Sequence, residues 1–218
     1  MSSLIRRVRN LRAAALDAPV AARERSTPRL VLRPYAMDDI EDWLAIEHDE
    51  SVRDALGWPR RTTRDAVAHL RARTHHTTLV HAGDLLVLAT EYRGHAIGDV
   101  SVHLRTIAAS TRSVEIGWLL RSEFRGEGLA TEAADAMLGV AFEQIEANLV
   151  TAVISDRNEP SARLALRLGF RLAAHRPGTS TYVLSREDHR AATESAATEL
   201  PRDALRFPAE SVCDCRAG

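Results

Sequence analysis

The sequence of 218 residues contains no lysine, and arginine supplies all 29 of its basic residues. Without lysine a protein cannot form a lysine Schiff base or use a lysine as general base, so those enzyme mechanisms are excluded. Aromatic residues make up only 5% of the chain, which argues against a surface of stacked rings for single-stranded nucleic acid. The formal net charge of -1 also indicates no overall attraction to nucleic acid or anionic lipid.

Cysteine is scarce too: Cys213 and Cys215 are the only two, and they stand near the end of the chain. They supply no disulfide framework, and two ligands do not complete a metal site. His75, His76 and His81 lack carboxylate or cysteine partners at a matching spacing. No apolar run approaches the ~20 residues that a membrane-spanning helix needs. We therefore expect a reduced, cytoplasmic protein with no metal and no membrane partner.

Three regions of the chain differ in composition. Residues 1–26 are rich in arginine, and apolar residues at helical spacing from Leu4 to Leu16 predict an amphipathic helix. This arm is a candidate contact for the ribosome or RNA, and the alternative is a solvated leader helix. Residues 27–186 carry the pattern of one domain, which we expect to fold on its own. Residues 187–218 are predicted to be a tail of little packing value.

Within residues 27–186 the predicted order is strand, helices, three strands, helix, strand, helix and two strands. Asp38 is the expected N-cap of the first helix. A nearly continuous apolar run at 149–154 is typical of a strand that is buried on both faces. Hairpin-linked strands favour antiparallel pairing, whereas helix-linked strands favour parallel pairing. The sequence therefore predicts a single mixed α/β (α+β) domain.

The most informative segment is a strand-to-helix loop with the sequence SEFRGEGLATE, residues 122–132. Its small residues leave the backbone uncovered where the first amides of a helix carry partial positive charge. Such a turn can bind a pyrophosphate, and a neighbouring cation and hydroxyl can assist. The residues concerned are Arg125, Gly126, Gly128, Ala130 and Thr131. On spacing alone, an anion cradle and a plain tight turn both fit, and neither nucleotide-binding glycine motif is present.

The spacing Arg125-x-x-Gly128-x-Ala130 resembles the acyl-CoA-binding signature of the Gcn5-related N-acetyltransferases. Two further blocks are similar to the same family and follow its order: TPRLVLRP at 27–34, and NEPS with LGF within 158–170. Together with EIGWLL before the loop, they look like the branch that contains the ribosomal-protein N-terminal acetyltransferases. The resemblance covers roughly residues 27–185.

The resemblance implies a central mixed, mostly antiparallel sheet, flanked by helices and splayed beside a bulge near Gly117. A glycine within a strand often marks a bulge, so this position is physically reasonable. Acetyl-CoA would be the acyl donor, with its pantetheine arm in the splay and its pyrophosphate on the loop amides. The implied cofactor-binding residues are Trp118, Leu119, Leu120, Arg125, Gly126, Gly128, Leu129, Ala130, Thr131 and Asn158.

Acetyl transfer to an amine requires that the ammonium lose a proton, that an oxyanion be stabilised and that a thiolate leave. Glu115 is the candidate for the first role, acting through water, and a strand amide near Trp118 is the candidate for the second. Many relatives use a tyrosine where this sequence has Ala165, so Ser161 is the substitute candidate for the third. The structural alternatives are an amine-binding or structural carboxylate for Glu115 and a backbone hydrogen bond for Ser161.

The acceptor is less well defined by the sequence. Trp58, in the loop after the first helices, is predicted either to bind the substrate or to cover the core. The leading acceptor is a protein N-terminal α-amine, as on a ribosomal protein, and a small amine such as an aminoglycoside, polyamine or amino acid is the alternative. A non-catalytic CoA-binding or RNA-associated module is a third interpretation. Relatives are commonly dimers, so a homodimer is included among the expected assemblies.

Overall fold

A computed structural model describes residues 15–199 of the chain. The first part of the predicted arginine-rich arm lies outside the described residues, as do Cys213, Cys215 and the rest of the chain after residue 199. Within the described range the strands are β1 (Ala15–Ala21), β2 (Arg25–Ser26), β3 (Val31–Arg33), β4 (Thr78–His81), β5 (Leu85–Tyr92), β6 (His95–Thr106), β7 (Ser113–Leu120), β8 (Leu149–Ser155), β9 (Arg171–Arg176) and β10 (Thr179–Ser185). The helices are α1 (Ile40–His48), α2 (Glu50–Leu56), α3 (Thr63–Arg73), α4 (Leu129–Gly139), α5 (Glu159–Arg167) and α6 (Arg186–Glu199).

Eight strands form one sheet in the order β2-β3-β5-β6-β7-β8-β10-β9. Neighbouring strands are antiparallel except β7 and β8, which are parallel because the chain crosses back through α4 between them. β1 and β4 form a separate two-stranded antiparallel sheet. This confirms the predicted mixed α/β single domain with a largely antiparallel sheet and flanking helices.

Helices cover both faces of the central strands. On one face, α4 and α5 pack on the main core, which includes Ile116 of β7 and Met137 of α4. On the other face, α1, α2 and α3 enclose a second core around Trp43, which Leu119 of β7 joins. Successive residues of a strand point to opposite faces, so β5 and β7 contribute apolar side chains to both cores.

The central strands separate as predicted, but without the predicted bulge at Gly117. β7 and β8 pair only over Ser113–Glu115 and Leu149–Thr151. The pairing of β6 with β7 runs without a shift through Gly117, and its irregularity falls between Leu104 and Thr106. A Cβ at Gly117 would lie 2.8 Å from Oγ of Ser101 on β6. The glycine therefore makes room for a neighbouring side chain and does not mark a bulge.

The amphipathic helix predicted in the N-terminal arm is wrong for Ala15 and Leu16, which form the start of β1. The physical reason is tertiary, because strand pairing and burial override the helical spacing of these residues. Leu16 is buried in the main core, and β1 pairs with β4. The domain boundary at residue 27 stays a prediction, although β1 and β2 precede it and pair with strands that follow it.

The predicted cap of α1 also differs from the structure. α1 begins after Asp39 and not after Asp38. The Asp39 carboxylate accepts hydrogen bonds from the Arg33 guanidinium and the Ala36 amide, so it ties β3 to the helix entrance. The helix predicted over 129–146 is α4 followed by a π-helical turn, Val140–Gln144. Across residues 15–199, none of the helices combines the length and apolarity needed to cross a membrane.

Candidate active site

The separation of β7 from β8 opens a gap through the sheet, and two cavities lie along it. The large cavity, of about 310 Å³, is bordered by the end of β7, by α2 and α5, and by the loop between β7 and α4. We call this loop, residues 121–128, the glycine loop. The small cavity, of about 100 Å³, lies between β7 and β8 themselves. Five residues border both cavities: Ala55, Leu56, Trp118, Asn158 and Ser161. The two spaces therefore meet beside Trp118 and Ser161.

The glycine loop ends at Gly128, which has a φ of 80° and immediately precedes α4. Glycine adopts this left-handed conformation without a steric penalty, and it brings no side chain that could cap the helix. The first amides of a helix have no partner within the helix. Leu129, Ala130 and Thr131 begin α4 and border the large cavity. These are the residues at which the anion cradle is predicted, and its binding of an anion stays a prediction.

Residues of the opening TPRLVLRP block stabilise this loop and the start of α4 through hydrogen bonds. Arg29 donates a hydrogen bond from Nη1 to the Glu127 carbonyl at 2.8 Å and from Nε to the Glu132 carboxylate at 2.6 Å. Glu132 also accepts from the Thr27 hydroxyl and the Arg29 amide. Burial acts to raise the pKa of Glu132, but these hydrogen bonds outweigh it and lower that pKa. Two blocks that are far apart in sequence therefore form one support.

The chemistry of the large cavity suits an anionic ligand with an apolar arm. Its charged lining residues are Arg125 and Arg167, and aspartate and glutamate are absent from its lining among the described residues. Arg125 donates from Nε and Nη2 to the Leu120 carbonyl, at 3.2 Å in each case. The remaining walls are mainly apolar, and beyond Glu115 the edge of β7 has no β8 partner. An extended ligand can pair with such a free strand edge.

Asn158 and Ser161 stand at the start of α5, on the other wall of the gap. Asn158 is the N-cap of α5, and its Oδ1 accepts a hydrogen bond from the Ser161 amide at 3.2 Å. Trp118 donates from its indole Nε1 to Ser161 Oγ at 3.1 Å. Ala165, one turn later, is fully buried, so the residue at the usual tyrosine position here belongs to the core.

Glu115 is at the last position where β7 pairs with β8, and it borders neither cavity. Its Oε2 accepts hydrogen bonds from Arg105 at 2.7 Å (Nη2) and 3.2 Å (Nε). Two residues along the strand, Gly117 lies on the same face and borders the small cavity. At the usual rise of a strand this separation is about 7 Å. Glu115 would therefore reach the small cavity only through a bridging water.

Trp58 also lies outside the lining of both cavities. Its ring packs against Trp43 and His69, with centroid distances of 6.2 and 5.1 Å, and the Arg61 guanidinium lies over it. His69 in turn contacts the buried Glu47 carboxylate at 2.6 Å. Trp58 therefore covers the second core, and its predicted role in acceptor binding stays a prediction.

One wall of the site was not predicted from the sequence. Val52, Ala55 and Leu56 project from α2 into the large cavity, and Arg167 borders it from the end of α5. The spacing of the three α2 residues, i, i+3 and i+4, was a usable signal, because it marks one helix face. The other missed lining residues are Phe124, Pro160 and Leu164. No cluster of three or more candidate metal ligands occurs in the part of the chain that the structure describes.

Comparison with known proteins agrees with this architecture. The family model described as "Acetyltransferase (GNAT) domain" matches residues 29–171. "Putative ribosomal N-acetyltransferase YdaF" of Bacillus subtilis (strain 168) is 34% identical over 79 residues, which is 36% of this chain and 42% of that protein. The chain thus aligns with less than half the length of this curated relative.

Two solved structures show the same fold. The Microcin C7 self immunity acetyltransferase MccE, in complex with acetyl-CoA and AMP, has a TM-score of 0.58 at 20% identity, over 73% of this chain and 93% of that chain. The ribosomal L7/L12 alpha-N-protein acetyltransferase RimL has a TM-score of 0.61 at 16% identity, over 75% of this chain and 94% of that chain. With the family model covering most of the described residues, the chain belongs to the GNAT acetyltransferase family.

Proposed function

We propose that the protein transfers an acetyl group from acetyl-CoA to the N-terminal α-amine of a peptide or protein. The observation that carries the proposal is the gap between β7 and β8, along which the large cavity and the small cavity share five lining residues. A donor on the side of α4 and an acceptor from the other face would then meet at Trp118 and Ser161. Acetyl-CoA, as the acyl-donor substrate, supplies the activated thioester.

Each part of the large cavity has a proposed share in holding the donor. The uncapped amides that follow Gly126 and Gly128 would bind the pyrophosphate, and Arg125 and Arg167 would add positive charge. The edge of β7 at 118–120 has no β8 partner, although Arg125 donates to its Leu120 carbonyl, and this edge would pair with the pantetheine arm. Asn158 uses Oδ1 to cap α5, so its amide NH₂ would be the group that donates to that arm.

The charges around the gap support a peptide acceptor over a polycationic small molecule. A polyamine or aminoglycoside needs carboxylates for recognition, yet the lining of both cavities contains no aspartate or glutamate among the described residues. Glu115, the carboxylate to which we assign a role on the acceptor face, is already paired with Arg105. A peptide N-terminus brings one positive charge, which it loses before reaction. The names of YdaF and RimL support a ribosomal protein as the acceptor.

We assign three catalytic roles as part of the proposal. Glu115 would accept the proton of the ammonium through water, and a backbone amide near Trp118 or Leu119 would stabilise the oxyanion. Ser161 would donate a proton to the departing thiolate. The two alternatives to this proposal are a small amine as the acceptor and a CoA-binding module without turnover.

The experiment is thiol release from acetyl-CoA across three acceptor classes: Ala- or Ser-initiated peptides, spermidine and kanamycin. We expect turnover with the peptides and at most background release with the two polycations. Turnover limited to a polycation would transfer the proposal to the small-molecule class. Binding of acetyl-CoA without thiol release from any acceptor would favour the non-catalytic module.

Assembly and location complete the proposal. The excess of arginine over acidic residues in 1–26 supports ribosome contact through the arm. The open edge strand β9 and the half-exposed side chains of Val153 and Leu172 support a homodimer. A cytoplasmic location accords with the small number of cysteines. Light scattering and ribosome co-sedimentation, each with and without residues 1–14, test the first two.

A further inference from the structure

The hydroxyl of Ser161 has one hydrogen-bond partner, and the direction of that hydrogen bond is fixed. Its Oγ lies 3.1 Å from Nε1 of Trp118. An indole N–H can only donate a hydrogen bond, so Ser161 accepts this one through an oxygen lone pair. The hydrogen of the hydroxyl group therefore remains available to another acceptor.

The Ser161 hydroxyl does not donate to the backbone carbonyl that usually accepts from a serine in a helix. A serine inside a helix commonly donates to a carbonyl three or four residues earlier, here that of Asn158 or Arg157. The Asn158 carbonyl accepts from the Ala162 amide at 3.1 Å. Throughout residues 15–199, the Ser161 hydroxyl makes no hydrogen bond apart from the one with Trp118. Its hydrogen is thus free to turn toward the cavities that Ser161 borders.

Both partners are held in place by other residues. Ser161 is set by its helical position and by the Asn158 cap on its amide. Trp118 lies on β7 opposite Val100 of β6, and its partly buried ring packs against the main core. The indole thus reaches across the gap from one wall to the other, at the place where the two cavities share their lining.

We propose that Trp118 is a positioning residue, whose indole N–H fixes a lone pair of Ser161 so that the serine hydroxyl donates to the sulfur of the leaving thiolate. This inference rests on the proposed function, since it assigns the partner of the serine in that reaction. Accepting a hydrogen bond also polarises the hydroxyl, which makes it a better donor.

The transfer forms one carbon–nitrogen bond and breaks one carbon–sulfur bond. The amine nitrogen forms the new bond to the acetyl carbon, and the carbon–sulfur bond breaks with its electron pair on sulfur. The sulfur takes the proton of the Ser161 hydroxyl and becomes a thiol. The proton that the amine loses on becoming an amide returns to the serine oxygen through solvent. No oxidant or other reactant is needed.

The test varies the leaving group with a Ser-initiated tetrapeptide as acceptor. The donors are two small thioesters, S-acetyl-N-acetylcysteamine and S-acetyl-4-nitrothiophenol, of which only the first leaves as a basic thiolate that needs protonation. With the first donor we expect Trp118→Phe and Ser161→Ala each to lower kcat/KM by about tenfold or more. With the second we expect both variants to stay within about twofold of wild type. The double variant should resemble Ser161→Ala, because the two residues act as a unit.

Trp43→Phe is the matched control. Trp43 also donates its indole N–H, to the Ala66 carbonyl at 3.0 Å, but it lies in the second core and borders neither cavity. This variant should lower the melting temperature while its dependence on the leaving group matches wild type. A structural defect alone would lower the rates with both donors in Trp118→Phe, and that result would overturn the inference.

A second measurement tests the hydrogen bond without turnover. In ¹H–¹⁵N spectra, Ser161→Ala should shift the indole N–H resonance of Trp118 and leave that of Trp43 in place. An unmoved Trp118 resonance would contradict the inference. Failure of the proposed function is distinguishable, because wild type would then acetylate no peptide. If wild type is active but Trp118→Phe keeps its leaving-group dependence, this inference alone fails.

Discussion

Gly128 is the residue on which binding of the donor depends most directly. Its φ of 80° penalises any residue with a Cβ, by about 1–2 kcal/mol. A Cβ there would also lie 3.6 Å from Nη2 of Arg29, so a branched side chain would press on the support of the loop. We predict that Gly128→Val lowers the affinity for acetyl-CoA at least about tenfold, or 1.4 kcal/mol, in calorimetric titrations.

Gly139 provides the matched control for this variant. It is the last residue of α4, has a helical φ, and nothing lies within 4 Å of a Cβ built on it. Gly139→Ala should leave the affinity unchanged and slightly raise stability, since alanine is favoured in helices. Equal affinity of Gly128→Val and wild type would contradict the assignment of the cradle.

Glu115 and Ser161 should respond to pH in different ways. A peptide α-amine has a reference pKa of about 7.7–8.0, so at pH 7 most of it is protonated. Glu115→Gln should lower kcat/KM at pH 7 by about tenfold or more and recover partly at higher pH, as free amine accumulates. Ser161→Ala should lower kcat without that recovery. Full activity of Glu115→Gln at every pH would leave proximity and bulk water as the route of deprotonation.

Which residues could be read from the sequence depends on how local their signal is. Gly128 was predicted from a short glycine-rich turn, and Asn158 and Ser161 from a short block that resembles the family, so each signal lies within a few neighbouring residues. Gly117 was wrongly assigned to a bulge, because the need for glycine there comes from the Ser101 side chain on another strand. Arg167 was missed because only the tertiary fold brings the end of α5 to the large cavity.

Asp49 links two elements that border the site. One carboxylate oxygen caps α2 by accepting from the Ser51 and Val52 amides, and the other accepts from the Ser122 amide at 2.6 Å. Burial acts to raise the pKa of Asp49, but the hydrogen bonds, above all from Ser122, outweigh it and lower that pKa to about 2. The helix that lines both cavities is thereby tied to the start of the glycine loop.

The pH dependence of this link follows from the sign of the shift. Because the folded-state pKa lies below the unfolded value, the stabilisation is complete above about pH 4 and is lost as the pH falls through about 2. Asp49→Ala should cost about 1 kcal/mol in urea unfolding at pH 7, the usual worth of a cap. The exposed Asp54 in the same helix is the control, and its change to alanine should have little effect. A cost that stays constant down to pH 2 would exclude this carboxylate as the source.

Elements with a sustained pattern were predicted well, and those that depend on distant partners were not. The strand predicted at 149–154 agrees with β8 to within a residue, because its apolar run is nearly continuous. The first two residues of β1 were assigned to a helix, since the strand depends on pairing with β4 and on the burial of a single leucine, Leu16. The parallel pairing of β7 with β8 was correctly inferred from the helix between them.

At the scale of the whole molecule, the structure changes the expectation for a shortened chain. The sequence predicts that residues 27–186 fold alone, but β1 and β2 lie before residue 27. Removing them would take Leu16 out of the core and expose Leu79 of β4, the fully buried residue that pairs with Val20. Burial of one leucine is worth roughly 1.5–3 kcal/mol, so the loss should be at least about 2 kcal/mol. A chain of residues 27–199 should therefore melt about 4–8 °C below one of residues 15–199.

Both shortened chains should still bind acetyl-CoA at a temperature where they are folded, because neither β1 nor β2 borders a cavity. Equal melting temperatures would mean that these strands add nothing to the core. Loss of cooperative unfolding in the shorter chain would instead place β1 and β2 among the elements that the domain requires.

The central claim is that an acetyl group passes through the gap between β7 and β8 to a peptide α-amine. The most direct test is the site of acetylation on one peptide that carries an N-terminal serine and an internal lysine. After incubation with acetyl-CoA, fragmentation mass spectrometry locates the added group. We predict one acetyl group on the N-terminal nitrogen, with Gly128→Val and Ser161→Ala each giving less of the same product. Acetyl on the lysine side chain, or the same yield from wild type and both variants, would contradict the account.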